Sequence, residues 1–183
     1  MLRGTKTSLR AVEEGDLPLL QQWLQDPALS FSRGSRRMVR GTADMLDWFD
    51  ALREREGDPF EGLSFAILDG RDRLVGLAET GPMDPVDRQV EISLFIGRPE
   101  DRRKGHGREA LRLLVRHCVE DLGVHKLRTL VVAEDTRAVA YNLAIGFVEE
   151  GRLRQHRFLQ GGWRDMLAMG LLADEAKAAW ATS

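Results

Sequence analysis

The hydrophobic positions of the chain repeat with a period of two in some segments and of about 3.6 in others. Near the N-terminus, KTSLRAV predicts a strand, and LPLLQQWLQ predicts a helix that Asp16 is expected to cap. The apolar residues on one face of this helix are Leu17, Leu20, Trp23 and Leu24. The pattern therefore indicates a strand followed by an amphipathic helix.

The middle of the chain predicts a loop, a helix and three strands. Residues 28–41, ALSFSRGSRRMVRG, are polar, basic and weakly periodic, which favours a loop. A helix is predicted from Thr42 to about Glu56, with inward positions at Met45, Leu46, Phe49 and Leu52. Three short apolar runs then predict an antiparallel meander; they are LSFAILD, RLVGLAE and QVEISLFI.

The C-terminal half begins with a long helix after a basic loop. The inward residues of this helix are Leu111, Leu114, Val115, Cys118 and Leu122. KLRTLVV predicts a buried strand, TRAVAYNLAI a short helix, and FVEEGRLRQHRFL with WRDMLAMGLL a strand pair across QGG. Trp163, just after this turn, is expected at a strand edge or in a homodimer contact. A single domain is predicted over residues 1–173, and residues 174–183 are expected to form a helical extension or tail.

Composition and charge exclude several classes of protein. The 183 residues are 43% hydrophobic and 31% charged, which fits one globular domain. The net charge of -2 gives no overall basic field for nucleic acid or an anionic membrane, so any anion site must be local. The apolar runs are too short to span a membrane and the N-terminus lacks a secretory pattern, so we expect a cytoplasmic protein. The single cysteine, Cys118, cannot form an internal disulfide.

The basic loop carries the strongest candidate chemistry. In RPEDRRKGHGREAL, two glycines precede or open a predicted helix, whose N-terminal backbone N–H groups favour an anion. The cations around this N-terminus are Arg102, Arg103, Lys104 and Arg108. The pattern predicts an anion site sized for a pyrophosphate, and a solvated turn shaped by its glycines is the alternative.

Three other binding chemistries fit less well. A P-loop is excluded because no Gly-Lys-Ser/Thr is present. Residues 105–110, GHGREA, match a loose dinucleotide fingerprint, and Glu134 or Asp135 ends the next strand where a ribose-binding acid is expected. That fold is disfavoured because RPEDRRK separates the strand from the first glycine and only one strand–helix–strand crossover is predicted. RNA binding through RGSRR and RRK lacks interleaved aromatic residues and a positive net charge.

The segment DRRKGHGREAL resembles the Arg/Gln-x-x-Gly-x-Gly/Ala signature of the GNAT superfamily of acetyl-CoA-dependent N-acetyltransferases, with Arg102, Gly105 and Gly107 on the signature positions. The resemblance covers about residues 5–173 and is similar to the branch of ribosomal-protein N-terminal and small-amine acetyltransferases. It implies an α/β (α+β) fold with a mixed, mostly antiparallel, twisted sheet of about six to seven strands and about four helices on both faces. It also implies acetyl transfer from acetyl-CoA to a primary amine.

The resemblance further implies how acetyl-CoA is held. The strand ending at Ile96 is expected to splay from its neighbour, and a backbone N–H near Phe95 or Ile96 to polarise the acetyl carbonyl. The amides of residues 103–108 are expected to hold the pyrophosphate. The cofactor-binding residues so implied are Phe95, Ile96, Arg102, Arg103, Lys104, Gly105, His106, Gly107, Arg108, Asp135 and Asn142. No metal is implied, and the four histidines show no ligand spacing.

Direct transfer needs a neutral amine and a group that takes up its proton. Glu91 and Glu79 are the acids on the central strands, and alternation along the strand places Glu91, Ser93 and Phe95 on one face. We prefer Glu91 as the base; a surface carboxylate in a salt bridge is the alternative reading of this residue.

Two positions depart from the family pattern. The helix position often filled by tyrosine holds Asn142, and Tyr141 lies about 100° around the helix. Asn142 can hydrogen-bond a thiol but cannot protonate it, so water or Ser93 is expected to serve as the proton source. Asp135 stands where many members carry asparagine.

The sequence leaves the acceptor open. The resemblance places residues 31–40 and 81–88 near the acceptor cleft, and their mixed charges suit a peptide N-terminus, a polyamine or an aminosugar. A non-catalytic acyl-CoA-binding protein is the alternative function, because of the departures at Asp135 and Asn142.

Overall fold

Eight strands form one sheet in this computed structural model, which describes residues 1–35, 39–55 and 58–181. The strands are β1 (Leu2–Arg3), β2 (Thr7–Ala11), β3 (Ser64–Asp69), β4 (Leu74–Thr80), β5 (Gln89–Ile96), β6 (Lys126–Val132), β7 (Val148–Leu159) and β8 (Gly162–Leu172). Their order is β1-β2-β3-β4-β5-β6-β8-β7, and the only parallel neighbours among them are β5 and β6. The mixed, mostly antiparallel sheet is confirmed, with slightly more strands than the six to seven predicted.

Six α-helices cover the two faces of the sheet within the same described residues. They are α1 (Leu17–Leu24), α2 (Pro27–Ser32), α3 (Thr42–Glu54), α4 (His106–Arg116), α5 (Thr136–Leu143) and α6 (Ala173–Ala181). Helices α1 to α3 pack on one face around Leu77 and Phe95, whereas α4 to α6 pack on the other around Val90 and Leu127. About four helices were predicted; the two further ones are α2, which lies in the predicted loop, and α6, which lies in the segment expected to be a helical extension or tail.

The long helix α4 buries the apolar stripe that the sequence predicts. Ala110, Leu111, Leu114 and Val115 lie against the sheet, and the chain continues through a π-helical turn, His117–Asp121, that buries Cys118. Burial raises the pKa of the Cys118 thiol to about 12, because the thiolate would lose its hydration there. Cys118 is therefore an unreactive core residue, as its helical spacing predicts.

Two local predictions in the N-terminal region are wrong. Residues 28–41 do not form one loop, because Asp26 accepts a hydrogen bond from the Ala28 amide (2.8 Å) and starts α2 at Pro27. A helix of six residues is too short to show a periodic pattern. Asp16 does not cap α1; its carboxylate accepts from the Glu13 amide (2.9 Å) and from the Arg10 guanidinium (2.7 and 2.9 Å). Residues 36 and 37 of the RGSRR segment, residue 38 after it, and the predicted helix end at 56 lie outside the described residues.

The sheet opens between β5 and β6. These strands pair only from Gln89 to Glu91 on β5 and from Lys126 to Arg128 on β6. Farther along, residues 92–96 pair with β4 alone and residues 129–132 with β8 alone. The two central strands therefore diverge and leave a gap in the sheet.

Candidate functional site

The backbone of β5 presents hydrogen-bonding groups to this gap. The Gly97 amide donates to Val75 O (3.0 Å) and the Gly81 amide to Glu91 O (2.8 Å), so the odd-numbered residues of β5 bond to β4. The N–H and C=O groups of the even-numbered residues, Leu94 and Ile96 among them, consequently face the gap. Of the two predicted amide donors, Ile96 is directed into the gap and Phe95 to β4.

The N-terminus of α4 lies next to the end of β5. Its N-cap, Gly105, has a φ of 93° and no side chain caps the helix, so the first-turn amides have no protein acceptor from within the helix. A side chain on Gly105 would enter open space but would have to adopt a left-handed backbone. This helix end therefore presents backbone N–H groups and a partial positive charge to an anion.

The cations of the loop fall into two groups. Arg102 donates to the carbonyls of Ile96 (3.1 Å) and Gly97 (2.8 Å), and Lys104 contacts Asp101 (3.4 Å). Arg103 and Arg108 are exposed and make no hydrogen bond or ion pair with any described residue. Arg102 and Lys104 thus hold the loop in place, while Arg103 and Arg108 remain available to a ligand.

A buried carboxylate stabilises the basic loop that precedes α4. Asp101 is 1% exposed and accepts two hydrogen bonds from Arg73, at 2.7 and 3.2 Å. The Arg73 hydrogen bonds lower the pKa of Asp101, with a smaller contribution from Lys104, so this carboxylate stays ionised. The turn before the basic segment is anchored in this way to the β3–β4 turn, which contains Arg73.

Two aromatic side chains near the helix end serve the fold. The His106 ring contacts Thr7 Oγ1 (3.1 Å) rather than the helix N-terminus. Tyr141 donates its hydroxyl hydrogen to the Gly107 carbonyl (2.5 Å), and burial raises the pKa of this phenol above its usual range. Tyr141 therefore links α5 to α4 as a neutral donor.

The two residues that depart from the family pattern, Asn142 in α5 and Asp135 at its N-cap, also have local hydrogen-bond partners. Asn142 is buried and donates to the Ala138 carbonyl (2.9 Å). Asp135 caps α5 by accepting from the Ala138 amide (3.1 Å), and its other oxygen accepts from Ser32 Oγ (2.8 Å). The Asp135 carboxylate thus stabilises the helix start and ties it to α2.

A cleft of about 470 Å³ opens at the other end of the gap. It is lined by Glu79, Thr80, Gly81, Pro82, Glu91, Ile92, Ser93 and Arg128. Glu79 lies opposite Ser93 in the β4–β5 register, and Glu91 opposite Arg128 in the β5–β6 register. The structure thus brings the three catalytic candidates of β4 and β5 into one cleft.

Glu79 is held in an ion pair inside this cleft. Arg33, just after α2, lies 3.2 Å from the Glu79 carboxylate, and its guanidinium stacks 4.7 Å from the centre of the Phe95 ring. Burial raises the pKa of Glu79, and Arg33 opposes this shift. Sequence reasoning missed Arg33 and Arg128 as individual site residues, although it placed residues 31–40 near the cleft.

Within residues 1–35, 39–55 and 58–181, no helix is long and apolar enough to cross a membrane. No group of three or more His, Cys, Asp or Glu side chains in those ranges is arranged to hold a metal ion.

Comparison with known proteins assigns the class. Residues 6–148 match the family model of the acetyltransferase (GNAT) domain. The spermidine N(1)-acetyltransferase of Vibrio cholerae is 26% identical over 179 residues, 92% of this chain and 94% of that enzyme. A putative ribosomal N-acetyltransferase of Bacillus subtilis is 28% identical over 130 residues, 70% of this chain and 67% of that protein. The crystal structure of the Vibrio cholerae enzyme with CoA and spermine superposes with a TM-score of 0.83 at 25% identity, covering 93% of this chain and 98% of that one.

The chain therefore belongs to the GNAT acetyltransferase family. It is an acetyl-CoA-dependent N-acetyltransferase that transfers an acetyl group to an amine. The predicted resemblance, fold and activity are confirmed, and the non-catalytic alternative is not favoured.

Proposed function

We propose that the acceptor is a small primary amine that binds in the cleft of Glu79, Glu91 and Ser93 and attacks the acetyl group directly. The observation that carries the proposal is the gap between β5 and β6, which has the cleft at one end and the uncapped α4 N-terminus at the other. A volume of about 470 Å³ suits a small molecule, and small polyamines are the substrates named for relatives over nearly the whole chain.

The residues near α4 fit the phosphates of acetyl-CoA. The first-turn amides of α4 and the open guanidinium groups of Arg103 and Arg108 would hold the pyrophosphate, and the Ile96 amide would polarise the acetyl carbonyl. When bound, acetyl-CoA supplies an acetyl group activated as a thioester.

Glu91 is the group that we assign to proton uptake. Its side chain is exposed in the cleft and has no ion-pair partner among the described residues. It accepts the proton that the amine loses as the N–C bond forms and the C–S bond breaks, and water or Ser93 returns a proton to the thiolate. Asn142 donates one Nδ2 hydrogen to Ala138, which leaves its second Nδ2 hydrogen to hydrogen-bond the sulfur of the cofactor.

An acceptor panel tests the proposal. Thiol release from acetyl-CoA would be measured with putrescine, spermidine, an aminosugar, amino acids and a decapeptide with a free N-terminus. We expect at least one small amine to exceed the peptide about tenfold or more in kcat/KM. A peptide that outperforms every small amine would assign the cleft to protein N-termini, and no release with any acceptor would overturn the function.

The two groups of loop cations predict different effects of substitution. Arg108→Ala should raise the Kd for acetyl-CoA about tenfold with an unchanged Tm, because the exposed Arg108 side chain makes no hydrogen bond or ion pair with a described residue. Arg102→Ala should lower the Tm as well, because Arg102 holds the carbonyls of Ile96 and Gly97. Calorimetry and thermal melts measure both quantities. Equal affinity in the Arg108 variant and in wild type would remove this residue from the phosphate site.

A further inference from the structure

The acceptor cleft contains two charged side chains that no other described residue neutralises. Glu79 is paired with Arg33 at 3.2 Å, so these two charges cancel. Glu91 and Arg128 are both exposed in the cleft, and neither side chain makes a hydrogen bond or an ion pair with a described residue. One carboxylate and one guanidinium are therefore left for the acceptor.

The register of the sheet places these two groups side by side. Glu91 and Arg128 form the last pair of the parallel ladder, at the point where β5 and β6 diverge. Neighbouring strands lie about 5 Å apart, and opposed residues project on the same face. An acceptor that carries an amine and an acid a few atoms apart would reach both groups.

The loop between β4 and β5 makes no hydrogen bond or ion pair with the Arg128 side chain. Asp84 lies between β4 and β5, and its Oδ1 accepts hydrogen bonds from the amides of Val86 (2.8 Å) and Asp87 (2.7 Å). These bonds lower the pKa of Asp84, and the positive charge of Arg128 makes a smaller contribution in the same direction. No ion pair joins Asp84 to Arg128, so the guanidinium donors remain open to a ligand.

We propose that Arg128 binds a carboxylate on the acceptor and that the enzyme therefore acetylates a small aminocarboxylate, such as an amino acid, in preference to a polyamine. The guanidinium fork matches a carboxylate in two parallel hydrogen bonds, while Glu91 faces the amine that reacts. A polyamine would bring two or more positive charges to a cleft that has one free carboxylate and an unpaired Arg128. The inference rests on the proposed function and narrows its substrate class.

Matched acceptors test the proposal on the wild-type enzyme. Ornithine and putrescine, lysine and cadaverine, and methionine and its decarboxylated amine each differ by one carboxylate. The acid-bearing member of each pair should have a kcat/KM about tenfold or more higher. Equal or better turnover of the decarboxylated members would overturn the proposal, even though small-amine acetylation itself stands. No turnover of any member would overturn this proposal, and turnover of another small amine of the acceptor panel would leave the proposed function standing.

Variants of Arg128 test its role separately. Arg128→Gln should raise the KM for the acid-bearing acceptors about tenfold or more, leave kcat within about twofold, leave unchanged or lower the KM for the decarboxylated acceptors, and not affect the KM for acetyl-CoA. Arg128→Lys should restore part of the difference, because an ammonium keeps the charge but loses the fork. The matched control is Arg71→Gln, an exposed arginine in the β3–β4 turn, which should behave as wild type. A loss that is equal for both members of each pair would show that Arg128 only supports the fold.

Discussion

Replacement of Glu91 by glutamine is expected to lower kcat by about 100-fold and to leave the affinity for acetyl-CoA unchanged. Glutamine keeps the size of the side chain but cannot accept the proton of the attacking amine. The side chain is exposed in the acceptor cleft, away from the α4 N-terminus, so neither the fold nor the phosphate site should respond. Steady-state thiol release and calorimetry with acetyl-CoA measure the two quantities.

The pH–rate profile separates Glu91 from Glu79 as the base. If Glu91 is the base, the rate of the Glu91→Gln variant should no longer depend on a carboxylate and should fall on the acid side only because the amine is protonated. Burial raises the pKa of Glu79, so a reaction that depends on Glu79 would keep an acid limb, displaced towards neutral pH, after Glu91 is replaced. The control is Glu61→Gln, an exposed glutamate outside the cleft. Full turnover of the Glu91→Gln variant would exclude Glu91 as the base and leave Glu79 as the candidate.

The Gly97→Ala substitution should destabilise the enzyme by about 3 kcal/mol and lower the Tm by roughly 10 °C. A Cβ on Gly97 would overlap the indole ring of Trp23, which is 5% exposed and packs edge-on against Phe95 with 6.2 Å between ring centres. Affinity for acetyl-CoA should fall too, because the Gly97 carbonyl accepts a hydrogen bond from Arg102.

Gly15→Ala is the matched control for this substitution. A Cβ on Gly15 has no atom within 4 Å, and its φ is not in the left-handed region. Its Tm should stay close to that of wild type. Thermal melts and denaturant titrations of both variants measure the difference, and a stable Gly97→Ala enzyme with normal acetyl-CoA binding would contradict the packing argument.

The sequence predicts the elements whose signals are local and periodic. The stripe of α4 and the meander of β3 to β5 fall where hydrophobic spacing places them, and the alternation of Glu91, Ser93 and Phe95 on one face is what the strand period requires. Residue patterns alone leave two interpretations of the basic loop open, an anion site and a solvated turn. The resemblance to the family signature adds the ligand that the loop is expected to hold.

The features that the sequence does not predict arise from contacts between distant segments. Arg33 meets Glu79 across 46 positions, and Arg128 reaches the cleft because β6 pairs with β5. Asp135 and Ser32 are 103 positions apart. No local sequence pattern distinguishes such side chains from ordinary surface residues. Their positions in the site are therefore visible only in the folded chain.

The gap between β5 and β6 also sets a limit on how far this enzyme can be made heat resistant. The even-numbered residues from Ile92 to Ile96 leave backbone groups without a strand partner on β6, and each additional ladder hydrogen bond would contribute about 1 kcal/mol. Selection for survival at high temperature alone would favour sequences that extend the ladder, and those sequences would lose the opening that turnover needs. In a library screened for both properties, stabilising substitutions should therefore accumulate everywhere in the sheet except along these two strand edges.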